Sequence, residues 1–406
     1  MSGNTDKIQL NDDALAPPDW LNSGFMASVL GSYEKEPVTK VIDLTFSPAT
    51  AKGDNYASTM YRARVEYSNQ RGTFSKSLII KTVSEIFAGS NLFKTEIGMY
   101  TKVLPEFERI LREKGDASKL YADCIYDSLE PHQVIIFEDL ADMGYAMVRD
   151  RKLTHEEIRS AYLKLAKIHA VSMKIINERP EFLKEFKDGI CLVDIPYMSS
   201  GMVPFTEFLG RVPELKKYQP HFKKLGLSFI DRLRSTINEY QNNSQPGYYV
   251  LCHGDYHTRN VMFKHNKQTK CLEDCLLVDY QGCYVAPLAV DLMYSIYMLM
   301  GSELRTGELE TLLNYYFSVL LETLTKIGFE GEMPTPLSFW AEMKRLRDYE
   351  FLFLSTYLPM SMGLNLGTVS EDTDNNGETG QKLKEFIKET EIMLARFERS
   401  GYFEDL

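Results

Sequence analysis

No stretch of this sequence is apolar for long enough to cross a bilayer as a helix. The best candidate, Leu288–Met300, is interrupted by Asp291 and falls short of the roughly 18 apolar residues that a span requires. No secretory leader is expected from residues 1–20, which are polar, carry Pro17 and Pro18, and have no apolar core. Cysteine is scarce, with six residues (Cys124, Cys191, Cys252, Cys271, Cys275 and Cys283) spread mostly through apolar runs. That usage fits reduced thiols and a cytoplasmic location rather than a disulfide framework. Cys271 and Cys275 lack a nearby His or Cys pair that would complete a four-ligand metal site. An excess of Lys and Arg is absent too, and the net charge is −11. A nucleic-acid surface needs concentrated basic residues to neutralise phosphates, so the charge argues against that class.

What is present describes an ordinary globular chain. Its 406 residues are 44% hydrophobic and 25% charged, enough for two or more domains with their own cores. After a loose tail, Asp19 is expected to cap a short helix running through Trp20, Phe25, Val29 and Leu30. Three β-rich runs follow, Val41–Phe46, Tyr56–Tyr67 and Phe74–Val83, with a hairpin turn at Asn69–Gly72. Phe93–Val103 has helical spacing and is expected to stop at Pro105, leaving Glu106–Lys119 charged and mostly exposed. Two more strands, Tyr121–Tyr126 and Gln133–Phe137, end at Glu138-Asp139-Leu140.

Composition then changes. Thr154-x-x-Glu157 is a capping box, and helical patterns recur at Phe222–Tyr240, Leu288–Met300, Leu309–Ile327, Leu337–Tyr357 and about Gln381–Arg399. The expected architecture is α+β, with a β-rich N-lobe over 1–140 and a helical C-lobe over 141–406.

The most informative stretch is Val250-Leu-Cys-His253-Gly-Asp255-Tyr-His257-Thr-Arg-Asn260, followed by Leu277-Val-Asp279-Tyr-Gln281. A short apolar strand delivers a polar loop in which Asp255 and Asn260 are separated by four residues. Asp279 follows a second apolar run. Phosphoryl transfer from Mg-ATP needs this set: one carboxylate to orient the acceptor hydroxyl, and an amide oxygen with a second carboxylate to hold Mg²⁺. Taken singly, each could be a loop residue with local hydrogen bonds. His253 is expected to orient the loop, and Asp291 to accept backbone N–H bonds from it. His169 is expected to be a satisfied core histidine.

Upstream, Lys81 ends an apolar strand, where its ammonium needs a partner. Glu96 on the following helix is the natural one, which would hold Lys81 toward ATP phosphates. The plainer alternative is a lysine snorkelling at a strand edge. The loop before the second strand lacks a G-x-G-x-x-G pattern, so Gly53, Asn55 and Ser58 are candidates for cradling phosphates or simply a polar turn.

Gly254-Asp255-Tyr-His257 also resembles the start of a two-metal phosphoesterase. Such a site needs several histidine ligands downstream, and only His265 lies beyond His257. A protein kinase is disfavoured as well: Asp291 follows Asp279 too closely for a peptide-docking activation segment. The acceptor is therefore expected to be a small molecule, with no protein partner evident.

The ordered motifs resemble the ecdysteroid kinase-like (CHK kinase-like) family, relatives of choline kinases and aminoglycoside phosphotransferases. The resemblance rests on His253-Gly-Asp-x-x-x-x-Asn260-x-Met-Phe, Val-Asp279-Tyr-Gln281 and Gly53-Asp-Asn-Tyr-Ala-Ser58-x-Met-Tyr-Arg62. Phe93-x-x-Glu96-x-x-x-Tyr100-x-x-Val-Leu-Pro105, Phe137-Glu-Asp-Leu140 and Lys167-Ile-His-Ala170 extend it. It implies a bilobal protein-kinase-like fold with ATP between the lobes. By the same resemblance Lys81 and Glu96 position phosphates, Glu138–Leu140 reads adenine through backbone groups, Asp255 is catalytic, and Asn260 and Asp279 bind Mg²⁺. The implied acceptor is a hydroxyl of an ecdysteroid or another lipophilic or foreign compound. Many relatives carry Trp shortly after the loop aspartate, where this chain has Tyr256-His257. A choline- or aminoglycoside-type kinase and a non-catalytic binding module for a lipophilic ligand are the alternatives. Tyr197, Met198, Met202 and Phe205 are candidates for an apolar acceptor pocket.

Overall fold

The computed structural model of the chain describes residues 16–49, 58–83, 90–187, 189, 202–226, 228–237, 239–242, 246–367 and 377–404. The chain divides into two compact units, Met1–Thr101 with Ala122–Gly144, and Lys102–Tyr121 with Tyr145–Leu406. The first is β-rich and the second mostly helical, which is the α+β character expected. Among the described residues no helix is long and apolar enough to cross a membrane.

In the first unit β1 (Lys40–Pro48), β2 (Ser58–Asn69), β3 (Gly72–Val83), β4 (Cys124–Ser128) and β5 (Val134–Glu138) form one antiparallel sheet in the order β1-β2-β3-β5-β4. Side chains alternate across a strand, so the two faces of this sheet differ. Tyr61, Ala63, Val65 and Tyr67 of β2, Leu78 and Ile80 of β3, and Val134 and Ile136 of β5 fill one face. They pack with Met26, Val29 and Leu30 of α1 (Ser23–Glu34). Asn22, not Asp19, caps α1: its side-chain oxygen accepts from the N–H groups of Gly24 (3.0 Å) and Phe25 (3.1 Å). Asp19 lies too far back, and its carbonyl instead accepts from the Asn22 amide.

Ile79 and Lys81 alternate onto the opposite face, where Lys81 stands across from Ile135. Glu96 of α2 (Leu92–Gly98) meets Lys81, while Tyr100, four residues on, meets Phe137 with ring centroids 4.6 Å apart. The helix does not end at Pro105. It widens into a π turn, Met99–Val103, and resumes as α3 (Leu104–Glu113) with Pro105 in the first turn. Proline is tolerated there because a first-turn N–H has no intrahelical partner to lose. Nor is the following segment mostly exposed. Phe107, Ile110 and Leu111 form a buried stripe hidden in the sequence by the charges between them.

The helical unit is centred on α4 (His155–Glu178), opened by the expected capping box: Thr154 Oγ1 accepts from Glu157 N–H (3.2 Å), and the Glu157 carboxylate accepts from Thr154 N–H (2.8 Å). Two small sheets lie in the same unit. Strand β7 (Tyr249–Cys252) pairs antiparallel with β10 (Tyr284–Pro287). Strand β6 (Tyr145–Ala146) joins the hairpin of β8 (Val261–His265) and β9 (Leu272–Leu277). Helices α5 (Ala289–Met298) and α6 (Leu309–Ile327) follow, with α6 packed on α4 through Tyr162 and Tyr316. The pattern at 222–240 is not one helix. Gln219–Leu225 ends at Gly226, whose φ of 53° turns the chain before Ser228–Ile237 begins. Likewise 337–357 is divided into Pro336–Arg345, Arg347–Leu352 and a π turn at Phe353–Tyr357.

Candidate active site

In the β-rich unit, Lys81 Nζ lies 2.5 Å from Glu96 Oε2, and both side chains are almost fully buried. A buried ammonium without its carboxylate would be costly, so each residue fixes the other. Ser58 opens β2 opposite Val83 and is half-buried. Gly53 and Asn55 lie outside the described residues. Glu138 ends β5; its N–H donates to Asp123 O (3.1 Å), and its side chain accepts from Asp123 N–H (3.1 Å). Leu140 is buried in the turn that follows, with its carbonyl accepting from Met143 N–H.

The side chain of the residue between them, Asp139, holds the turn. Asp139 accepts from Arg62 Nε (2.6 Å), Ser77 Oγ (2.7 Å) and Ala141 N–H (3.1 Å). Burial alone would raise its pKa, but the Arg62 and Ser77 hydrogen bonds outweigh that and hold the carboxyl below the usual range. Arg62 ends the motif that contains Ser58. The pair therefore ties two separately recognised motifs into one structural unit.

In the helical unit, β7 delivers the loop as expected. Asp291, buried on α5, accepts from the N–H groups of His253 (2.6 Å) and Gly254 (3.0 Å). His169 adds a third contact, 3.1 Å from Asp291 Oδ2, and is itself bonded to Tyr316 Oη at 2.6 Å. These bonds engage His169 and Asp291, and Cys252 Sγ lies 3.6 Å from Pro287 O, so the cluster His169–Cys252–Asp291, which has metal-ligand residue types, is hydrogen-bonded within the protein. Gly254 has φ of 78°, and a Cβ there would lie 2.1 Å from Gly282 O, so no other residue fits. His253 Nε2 donates to Val278 O (3.0 Å). Burial lowers the His253 pKa, and its Nδ1 has no partner among the described residues, which agrees with a neutral, orienting imidazole.

Asp255 and Asn260 come together. The Asn260 amide donates to Asp255 O (2.8 Å) and Oδ2 (3.2 Å), which leaves its own Oδ1 turned to other partners. Asp255 Oδ1 accepts from Tyr294 Oη (2.7 Å) and lies 3.4 Å from His257 Nε2. Desolvation pushes the Asp255 pKa up, but His257 and Tyr294 outweigh it and bring it to about 2. Asp279 is drawn in through Val278, whose N–H donates to Asn260 O (3.0 Å). Asp279 itself is left-handed, φ 64° and ψ 59°, a conformation rare for a residue with a side chain. Its carboxylate accepts from Gln281 Nε2 (3.3 Å).

Asn260 Oδ1 and the Asp279 carboxylate offer only hard oxygen donors, the type that suits Mg²⁺ or Ca²⁺ rather than Zn²⁺.

A family model described as the ecdysteroid kinase-like family matches residues 52–329. The chain belongs to the ecdysteroid kinase-like family. No curated protein matches it. Among solved structures it is similar to an ethanolamine kinase of Plasmodium vivax, at 14% identity over 90% of this chain and 87% of the other, with a TM-score of 0.41. An amicoumacin kinase in complex with AMP-PNP, Ca²⁺ and its ligand matches at 14% identity, over 85% and 87%, with a TM-score of 0.40. The choline kinase LicA of Streptococcus pneumoniae matches at 12% identity, over 90% and 98%, with a TM-score of 0.37.

For this ecdysteroid kinase-like chain, Tyr294 is the site residue that motif reading missed. Its signal was available: it lies three positions after Asp291, hence on the same helix face. Of the suggested pocket residues, Met202 and Phe205 are buried in the helix Met202–Arg211. Tyr197 and Met198 lie outside the described residues.

Proposed function

We propose that this protein transfers the γ-phosphoryl group of ATP to a hydroxyl of a small lipophilic acceptor, such as an ecdysteroid or a foreign compound. The observation that carries the reading is the joined set Asp255, Asn260 and Asp279, with both ties to Val278 made by its peptide groups. The acceptor class rests on family membership.

In this reading Lys81, held by Glu96, meets the phosphates, and Glu138–Leu140 receives adenine. Asn260 and Asp279 hold Mg²⁺, which when bound offsets charge on the phosphate oxygens. The acceptor oxygen forms a bond to the γ-phosphorus as the bridging P–O bond breaks and its electron pair leaves with ADP. The hydroxyl proton passes to Asp255. A carboxylate with a pKa of about 2 is a weak base, so Asp255 mainly aligns the hydroxyl and receives its proton late, as a loose transition state permits.

Thermal unfolding with ATP alone, Mg²⁺ alone and both together is the first test. Ligand at about 100 times its dissociation constant adds about 2.7 kcal/mol of stability. A shift that needs both components, followed by transfer of labelled γ-phosphate to a hydroxylated steroid, is expected. No shift at saturation sinks the phosphotransfer reading in favour of a binding module. A shift with transfer only to choline or an aminoglycoside corrects the acceptor.

A further inference from the structure

We infer that Tyr294 is a positioning residue for phosphoryl transfer, fixing the Asp255 carboxylate so that Oδ2 faces the acceptor hydroxyl. This rests on the phosphotransfer reading above. An aspartate's terminal torsion is broad, so a carboxylate needs external bonds to hold one orientation. Asn260 supplies a long one to Oδ2, at 3.2 Å, and must also serve as the amide beside Asp279. The short bond, 2.7 Å, comes from Tyr294 Oη to Oδ1. With Oδ1 engaged, Oδ2 retains the acceptor capacity for an incoming O–H.

The tyrosine is itself held. Its ring packs edge-on against Phe353 at 5.0 Å and lies 6.2 Å from Tyr357. Both residues belong to the π turn Phe353–Tyr357, and all three rings are buried. A π turn is an uncommon local expansion that recurs at functional sites. One turn earlier on the same helix, Asp291 fixes the backbone of the loop. Helix α5 thus governs the loop twice, through its peptide groups at His253 and Gly254 and through its carboxylate at Asp255. A tyrosine needed only for packing would have no use for the hydroxyl bond.

The test is a double-mutant cycle on ADP formation from Mg·ATP, with water as the acceptor. Tyr294→Phe keeps the ring and removes the donor. It should lower kcat at least tenfold, leave KM for Mg·ATP within twofold and retain the wild-type unfolding temperature within a few degrees. In an Asp255→Ala background the same substitution should cause no further loss, because its route to the chemistry is gone. Tyr297→Phe removes a neighbouring buried hydroxyl bonded to Glu350 and should keep kcat within twofold.

Unchanged kcat in Tyr294→Phe overturns the inference, as does an equal loss in both backgrounds. If the wild-type chain forms ADP no faster than Asp255→Ala, the phosphotransfer reading falls and this inference with it. An active wild type beside an equally active Tyr294→Phe removes only the role of Tyr294.

Discussion

Asp291 and Gly254 meet through a 3.0 Å hydrogen bond from the glycine N–H to a carboxylate buried in the first turn of a helix. The same carboxylate accepts from His253 N–H and contacts His169, so one acid satisfies three polar groups that water does not reach. Asp291→Ala should strand all of them. A loss of about 3–5 kcal/mol is expected, read as a lower midpoint in denaturant unfolding. A loss below 1 kcal/mol would mean that the network is not a structural hub.

The pair Lys81–Glu96 separates a structural from a chemical role. Glu96→Leu alone removes the carboxylate that faces a buried ammonium and should cost about 3–5 kcal/mol. Lys81→Met with Glu96→Leu removes both charges and should recover most of that loss. Phosphate transfer should stay at least a hundredfold down in the double variant, because the lysine ammonium that would meet the phosphates is gone. Recovered transfer would reduce Lys81 to a strand-edge lysine with a partner.

Gly254→Ala tests the closeness of the loop to its neighbour. The new methyl meets Gly282 O at 2.1 Å in a backbone conformation that disfavours any side chain. Since the obstruction is backbone, the loop must move. Transfer should fall at least tenfold, and the thermal midpoint should drop by several degrees. Wild-type kinetics would show that the loop has slack.

Lys167 opens one of the recognised motifs, but its bonds are to Asp116 (2.7 Å) and Ser118 Oγ (2.6 Å), within the helical unit. Burial raises the Asp116 pKa, while Lys167 and Ser118 pull it down further, to about 2. A carboxyl depressed on folding stabilises the protein above its unfolded pKa, about 3.9, and loses that contribution as pH falls through the folded value. The stability gap between wild type and Lys167→Met should be constant above about pH 5 and narrow from pH 4 toward pH 2. A gap that is flat down to pH 2 would assign the effect of Lys167 to packing alone.

Much of this could be read from residue order. Strands announced themselves by alternating apolar runs, and Asp255, Asn260 and Asp279 by their spacing. Asp291 stood out because an acid inside an apolar helix needs a reason, and the two loop N–H groups supply it. The failures share a cause: they depend on which face of an element a residue occupies after packing. Pro105 marks a helix end in isolation, yet a π turn immediately before it resets the hydrogen-bond register and lets the helix resume. Arg62 and Asp139 are 77 positions apart, and only antiparallel registration of the intervening strands reveals them as partners. Tyr294 looked like one more apolar helix residue because tyrosine is common in cores; its hydroxyl direction is not a sequence property.

Val278 contributes to the loop without using its side chain. Its N–H reaches Asn260, and its carbonyl receives His253. Substitution there can alter size or polarity while both ties persist, because every residue but proline carries the same two peptide groups. The linkage between the two oxygen-donor residues is thus insulated from most single-codon change. Tyr294 and His257, which act through side-chain atoms, have no such insulation. Divergence among chains built on this plan would therefore register first around the carboxylate of Asp255, and last in the peptide that joins Asn260 to Asp279.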